Sequence, residues 1–169
     1  TGIIIMSDHG FGKVKKFINL NVWLLKNGYL KLKRNPITFL RYLLFRLGFN
    51  YDKLGRVILK LGFGRQAKQL GRAKREDLQR KIFLSLDDVD WSRTQAYSMG
   101  NFGQIYLNMK GREPKGIVQH GLEAEQVLED ISEKLRQLQD PDTGEQVVER
   151  IFGRDEVYHG PLILSLIHI

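Results

Sequence analysis

The stretch Ile3-Ile4-Ile5-Met6-Ser7-Asp8-His9-Gly10-Phe11-Gly12 decides the expected fold. Four consecutive apolar residues followed by a glycine-containing turn predict a buried parallel strand and a loop after it. In open α/β sheets, ligands bind outside the carboxyl ends of the strands. Because Asp8 and His9 fall at that end, the stretch predicts an α/β protein with a site at the edge of its sheet.

Asp8 and His9 are candidate metal ligands. A carboxylate oxygen and a neutral imidazole nitrogen together suit zinc or another divalent transition metal. A turn that begins at Asp8 can bring both side chains to one ion, and Gly10 and Gly12 let the backbone bend there. The pair alone cannot complete a tetrahedral site, so a hydrogen-bonded loop pair is the alternative that these residues leave open.

A mainly helical region follows. Asn19 or Asn21 can cap a short helix, residues 30–33 alternate like a short strand, and Pro36 suits the first turn of a longer helix. The apolar residues of that helix recur at helical spacing: Ile37, Leu40, Leu43, Leu44 and Leu47. We interpret residues 36–86 as a helical insertion whose leucine stripes pack within the fold, a groove for a partner being the alternative.

The insertion is expected to hold two further helices, over residues 54–61 and 75–83. Beyond it, the pattern is mixed. Residues 94–99, 104–109 and 147–152 predict strands, and a turn precedes the last of them at Asp140-Pro141-Asp142-Thr143-Gly144. Residues 123–138 form the strongest helical pattern of the chain, with an apolar side of five residues: Val127, Leu128, Ile131, Leu135 and Leu138.

Charge is divided unequally along the chain. Residues 1–85 carry 19 Lys and Arg against 4 Asp and Glu, whereas residues 86–169 carry 8 against 15. The basic density is highest over residues 26–81. Such a stretch can attract nucleic acid, an anionic membrane or a phosphorylated substrate, and a solvated helical surface is the alternative. The chain has neither an RNA-binding aromatic signature nor a phosphate-binding P-loop.

Composition excludes several classes of protein. With 42% hydrophobic and 27% charged residues, the 169-residue chain is not of the disordered or collagen-like type. Its apolar runs fall short of the roughly 20 residues that a membrane-spanning helix needs. The absence of cysteine excludes disulfide scaffolds, thiolate zinc sites and cysteine nucleophiles, and it favours a reducing compartment such as the cytoplasm.

Both ends suggest a piece of a longer protein. The chain opens at Thr1 and enters an apolar strand at once, without a start methionine. Residues 164–169 match the translation of a transposase adapter used in sequencing libraries, so we expect them to be a non-native tail. Residues 1–163 are then interpreted as the C-terminal portion of a single catalytic domain.

Other polar residues have local interpretations. The acidic group Asp87, Asp88 and Asp90 lacks the spacing of a calcium-binding EF-hand, which favours capping or loop roles. Arg112 and Glu113 are expected to form a structural pair rather than a phosphate contact. Three aromatic residues are expected to serve in packing rather than in stacking on bases: Trp91, Tyr97 and Tyr106.

The opening stretch resembles the strand and Asp-His-Gly metal motif of the alkaline phosphatase superfamily, in particular its type I phosphodiesterase/nucleotide pyrophosphatase-like members. Further segments resemble that group in the same order: Asn19-Leu20-Asn21, Trp23-Leu24, Asn27-Gly28-Tyr29-Leu30, Asp90-Trp91-Ser92-Arg93-Thr94, Ile105-Tyr106-Leu107-Asn108, Gly111-Arg112-Glu113-Pro114, Gly116-Ile117-Val118, Asp140-Pro141, Thr143-Gly144-Glu145 and Tyr158-His159-Gly160-Pro161. Asp-His-Gly alone is unspecific, but the ordered series covers nearly all of residues 3–161.

The resemblance implies an alkaline-phosphatase-like central sheet with flanking helices, here with a basic helical insertion. It implies hydrolysis of phosphate esters and diesters with two divalent metals, commonly zinc although manganese is possible, and with a Thr or Ser nucleophile. Asp8 and His9 would ligate the metal that also holds the nucleophile. The nucleophile and the other ligands would lie outside these 169 residues, so this piece is expected to be inactive. His159 matches a loop residue of the family, and His120 receives no role.

Two functions stay open on the sequence. One is a portion of a metal-dependent phosphoester hydrolase that acts on a phosphoester or nucleotide. The other is a non-catalytic basic helical module that binds an anionic membrane or nucleic acid. The ordered motifs favour the hydrolase, because a run of positive charge predicts no such series. The sequence identifies no substrate-binding residues.

Overall fold

A computed structural model describes residues 12, 16–49, 53, 60, 82–99 and 103–157. This part of the chain is mixed α/β, with helices and a small antiparallel sheet of two strands. Its helices are α1 (Leu20–Lys26), α2 (Pro36–Arg46), a 3-10 helix (Leu86–Asp88), α3 (Leu122–Arg136) and α4 (Arg154–Val157), and its strands are β1 (Ala96–Tyr97) and β2 (Tyr106–Leu107). None of the helices described here is long and apolar enough to cross a membrane.

Several predicted elements lie outside the described residues. They are the strand over 3–6 and most of the helices over 54–61 and 75–83. The chain divides into two compact units, Thr1–Asn108 and Met109–Ile169, and each unit has its own buried side chains.

Asparagine caps begin α1 and α2. The Asn19 side chain accepts a hydrogen bond from the Val22 amide at 3.2 Å, which selects Asn19 over Asn21 as the cap of α1. Asn35 accepts from the Thr38 amide at 2.8 Å, directly before Pro36 at the start of α2. Both oxygens satisfy amides that have no partner within their own helix. The two predicted helix starts are therefore confirmed.

Residues 29–33 form an extended segment at the centre of the first unit. The Tyr29 carbonyl accepts from the Gln95 amide at 2.7 Å, and the Lys31 carbonyl accepts from the Asp90 amide at 2.8 Å. Leu32 forms one antiparallel bridge with Val89. The strand predicted over 30–33 is therefore reduced to a single bridge at Leu32. The buried apolar side chains described in the first unit are Leu24, Tyr29, Leu30, Val89, Ala96 and Leu107.

The predicted strands over 94–99 and 104–109 are confirmed in shorter form. Ala96 pairs with Leu107 and Tyr97 pairs with Tyr106 in an antiparallel ladder. The Asn21 carboxamide bonds to both backbone groups of the residue after β1, Ser98, at 2.8 Å each. These groups face away from β2, as does the Ala96 amide, which donates to the Tyr29 carbonyl.

The second unit is built around α3. Its buried side chains Val127, Ile131 and Leu135 confirm the predicted apolar face, whereas Leu128 is exposed. Before α3, Met109 and Val118 form a parallel bridge. The backbone of Gly116 lies against that of Met109 so closely that a Cβ at Gly116 would lie 1.8 Å from the Met109 carbonyl oxygen.

The prediction of a strand over 147–152 is wrong. Gln139 and Gln146 form a single antiparallel bridge that closes the predicted turn over 140–144. The Val147 amide donates to the Leu138 carbonyl at 3.0 Å, and residues 147–152 then continue without a strand partner. The segment departs from strand structure because its pairing ends with the turn that it closes.

Candidate functional site

The candidate metal ligands Asp8 and His9 lie outside the described residues, so the site at the strand end stays a prediction. Among the residues that the structure describes, no group of three or more acidic or histidine side chains could hold a metal ion. His120 is described and exposed, and His159 is not described. The described part of the chain instead shows how the segments downstream of Asp8 and His9 are held.

Asn21 joins the first helix to the sheet. Its Oδ1 accepts from the Ser98 amide and its Nδ2 donates to the Ser98 carbonyl, both at 2.8 Å. The two residues are 77 positions apart in the chain. A carboxamide has an oxygen that accepts and an NH2 group that donates, so this one side chain completes both bonds. Asn21 therefore connects α1 to the residue that follows β1 through two hydrogen bonds.

Thr94 and Asn108 form a buried polar network beside residues 29–33. The Thr94 hydroxyl accepts from the Lys31 amide at 3.0 Å and donates to the Asp90 carbonyl at 2.9 Å. Asn108 Nδ2 donates to the Trp91 and Thr94 carbonyls at 2.7 and 2.8 Å. Both side chains are fully buried. The two side chains provide hydrogen-bond partners for the Lys31 amide and for carbonyl groups of residues 90–94. These backbone groups would lower the stability of the fold if they were buried without partners.

Asp90 is held as an ionised loop residue. Ser92 Oγ donates to one carboxylate oxygen at 2.6 Å and Arg93 Nε donates to the other at 2.7 Å. The hydrogen bond from Ser92, followed by that from Arg93, holds the pKa of Asp90 below its usual value. Arg93 also donates to the Leu32 carbonyl at 2.9 Å. These contacts confirm a loop role for Asp90.

Asp88 has a capping role and a second role that the sequence did not predict. Ser85 and Asp88 form a reciprocal capping box at the start of the 3-10 helix. The same carboxylate accepts from the Thr38 hydroxyl at 2.8 Å and from Arg41 Nη1 at 2.7 Å. It thereby fixes α2 to a segment some 50 residues further along the chain. The capping box has a local sequence signal, but the contacts with α2 have none.

The predicted Arg112–Glu113 pair and the predicted aromatic packing are both present. Arg112 pairs with Glu113 at 2.6 Å, and the second Glu113 oxygen accepts from the Met109 amide at 2.7 Å. The aromatic residues pack on one another. The ring of Trp91 meets that of Tyr97 edge to face at 5.1 Å, and Tyr97 stacks on Tyr106 at 5.6 Å between ring centroids.

An open cleft of about 700 Å³ lies in the first unit between the extended segment and α2. Its walls are mainly apolar, and Lys31, Lys33, Arg34 and Arg93 add positive charge. Two of these cations have partners: Lys33 Nζ donates to the Asp87 carbonyl at 2.6 Å, and Arg93 pairs with Asp90. Its walls come from residues 25–42, with Arg93 added from further along the chain, and the sequence did not predict that these residues surround a cleft.

Comparisons with protein-family models, with curated proteins and with solved structures found no match.

Proposed function

We propose that this chain is part of a two-metal phosphoester hydrolase of the phosphodiesterase/nucleotide pyrophosphatase type, with an alkaline-phosphatase-like central sheet. The observation that carries the proposal is the ordered series of motifs that begins with Asp8-His9-Gly10 directly after an apolar run. A carboxylate and an imidazole at the end of a buried strand stand where α/β sheets bind their ligands.

The contacts among the downstream motifs support the proposal. Asn21 contacts Ser98, Thr94 contacts Lys31 and Asn108 contacts Trp91, each through hydrogen bonds between segments far apart in the chain. Four of these six residues belong to the resembling segments: Asn21, Trp91, Thr94 and Asn108. Thr94 and Asn108 are fully buried. Buried polar residues of this kind have few substitutes, which gives a physical reason for their segments to occur together.

In the proposed enzyme, Asp8 and His9 ligate one of two divalent ions. Such an ion, when bound, lowers the pKa of the Thr or Ser nucleophile and offsets negative charge on the phosphoryl oxygens. The proposal places the nucleophile and the remaining ligands outside these 169 residues. The excess of positive charge over residues 1–85, net +15, would attract an anionic phosphoester or nucleotide.

The test uses the complete parent protein loaded with zinc. Hydrolysis of bis(p-nitrophenyl) phosphate and bound zinc are measured for Asp8→Asn and His9→Ala, with Asp87→Asn and His120→Ala as matched controls. We expect the first two variants to lose bound zinc and to be more than about 100-fold less active. Removing a residue that only hydrogen-bonds to a metal ligand costs up to about 100-fold, and removing the ligand itself should cost more. The controls should keep both, because Asp87 and His120 are exposed.

Full activity and full zinc content in Asp8→Asn would overturn the assignment of the ligand. Absence of hydrolysis by the wild-type protein would overturn the enzyme class. Parallel assays with p-nitrophenyl phosphate and p-nitrophenyl sulfate separate a diesterase from a monoesterase or a sulfatase, which share the same proposed chemistry. A diester preference supports the phosphodiesterase type.

A further inference from the structure

Helix α2 turns its apolar face to solvent and its polar face to the protein. Thr38 and Arg41 point inward to the buried carboxylate of Asp88. Most of the predicted leucine stripe lies on the opposite side, where Ile37, Leu40, Leu43 and Leu47 are 64%, 56%, 44% and 72% exposed, whereas Leu44 is half-buried. The expectation that this stripe packs within the fold is therefore wrong for four of its five residues, although its helical spacing is confirmed.

Other large apolar side chains are also exposed. They are Phe39 on α2, Phe17 and Ile18 before α1, and Phe49 after α2. Large aliphatic and aromatic side chains that face water side by side indicate a contact surface, whereas isolated exposed leucines do not. The N-terminal half of α2 is held by the Asn35 cap and by the bonds that Thr38 and Arg41 make to Asp88.

The charge around the stripe is of one sign. Residues 16–49 contain seven Lys and Arg and no Asp or Glu. Lys33 and Arg34 are exposed just before α2, and Arg46 is exposed in its last turn. An apolar helix face with cations at its borders is the pattern of a helix that lies in the plane of an anionic membrane surface.

We infer that the α2 stripe (Ile37, Leu40, Leu43 and Leu47) docks on an anionic phospholipid bilayer. The apolar side chains enter the boundary between headgroups and acyl chains, while Lys33, Arg34 and Arg46 contact the lipid phosphates. Nucleic acid suits the stripe less well, because leucine and isoleucine neither stack on bases nor bond to phosphates. This inference stands apart from the proposed hydrolase, since none of its residues belongs to the metal motif.

Vesicle flotation tests the docking with the 169-residue chain. We expect binding to vesicles of phosphatidylcholine with 30% phosphatidylserine and little binding to pure phosphatidylcholine. Leu40→Glu/Leu43→Glu should weaken binding by about 100-fold or more, because the burial of each leucine accounts for about tenfold or more. Leu122→Glu/Leu128→Glu is the matched control on α3, where these leucines are likewise exposed, and it should bind as the wild type does.

A second pair of variants tests the cations. Arg34→Ser/Arg46→Ser should weaken binding by about 25-fold, since each cation near an anionic surface accounts for about fivefold. Lys115→Ser/Arg150→Ser removes the same charge from exposed positions in the second unit and should have little effect. Circular dichroism of every variant establishes that the helices persist.

Insertion is separated from surface adsorption by a fluorescent label. The chain has no cysteine, so Leu43→Cys and Leu128→Cys each accept one environment-sensitive probe. On anionic vesicles, the probe at position 43 should shift to the blue and be quenched by brominated acyl chains, whereas that at position 128 should do neither.

Three results would overturn the inference. The first is absence of vesicle binding even at low ionic strength. The second is binding to an oligonucleotide that Leu40→Glu/Leu43→Glu leaves intact while vesicle binding is absent. The third is a dimer in sedimentation equilibrium that the same variant dissociates, because the stripe would then contact a second copy of the chain.

Discussion

Asp88 accepts hydrogen bonds from Thr38, Arg41 and the Ser85 amide while only 3% of its surface is exposed. Asp88→Ala should lower the free energy of unfolding by about 3 kcal/mol, because it removes one partner of a buried ion pair together with the capping box. Asp87→Ala, on the exposed neighbour, should change the free energy by no more than about 0.5 kcal/mol. Urea unfolding measures both values, and equal losses would contradict the assigned role of Asp88.

Asp90 should contribute to the dependence of stability on pH. Its native pKa is lowered by Ser92 and Arg93, so its ionised form binds these partners only in the folded state. The resulting stability is fully present above the unfolded pKa of about 3.9 and is lost as pH falls through the lower native pKa. Asp90→Asn should therefore be less stable than the wild type at pH 7, and the difference should shrink at pH 3. A difference of equal size at both pH values in urea unfolding would contradict this account.

Single residues show which contacts a sequence can predict. The Ser85–Asp88 capping box and the Asn19 cap can be predicted from a sequence, because both depend on neighbours within one helical turn. The bond between Asn21 and Ser98 and that between Thr38 and Asp88 were not, since each joins residues 50 or more positions apart. Local chemistry identifies donors and acceptors, but only the folded chain determines which distant ones meet.

At the scale of elements, α3 offers a matched pair of substitutions. Ile131 is 3% exposed and Leu128 is 45% exposed on the same helix. Ile131→Ala should cost about 2–5 kcal/mol, because it removes buried methyl groups and leaves a cavity. Leu128→Ala should cost no more than about 0.5 kcal/mol. Thermal and urea unfolding give both values, and similar losses would mean that the described face of α3 is not the one that packs in solution.

Helices α2 and α3 show what the spacing of apolar residues predicts and what it does not. Both have apolar residues at a spacing of three and four, and both helices are present where the spacing predicted them. Three of the five residues of the α3 stripe are buried, whereas four of the five residues of the α2 stripe are exposed. Periodicity indicates which side of a helix is apolar but not what covers that side. The wrong strand over 147–152 has a similar cause, because a strand needs a partner in register and one segment alone does not specify it.

At the scale of the whole molecule, the candidate metal site and the unequal distribution of charge both come from the sequence alone. Asp8 and His9 lie outside the described residues, so the site rests on the strand-and-turn pattern and on the ordered motifs. The division of charge places net +13 on residues 1–108 and net −5 on residues 109–169. The contrast is larger when the chain is divided after residue 85, at net +15 and −7, so charge does not mark the boundary between the two compact units. No turn or linker signal in the sequence predicted that boundary.

The two units should also differ in local stability. Each buries its own side chains, with Leu24 and Val89 in the first unit and Val118 and Ile131 in the second. A cavity at Ile131 should therefore raise hydrogen exchange most in residues 109–157, and Asp88→Ala should raise it most in residues 16–49 and 82–108. Mass spectrometry of deuterium uptake in both variants measures this, with Leu128→Ala and Asp87→Ala as controls. If each variant raised exchange equally throughout, the chain would open as one cooperative body, because loss of either core would then release the other.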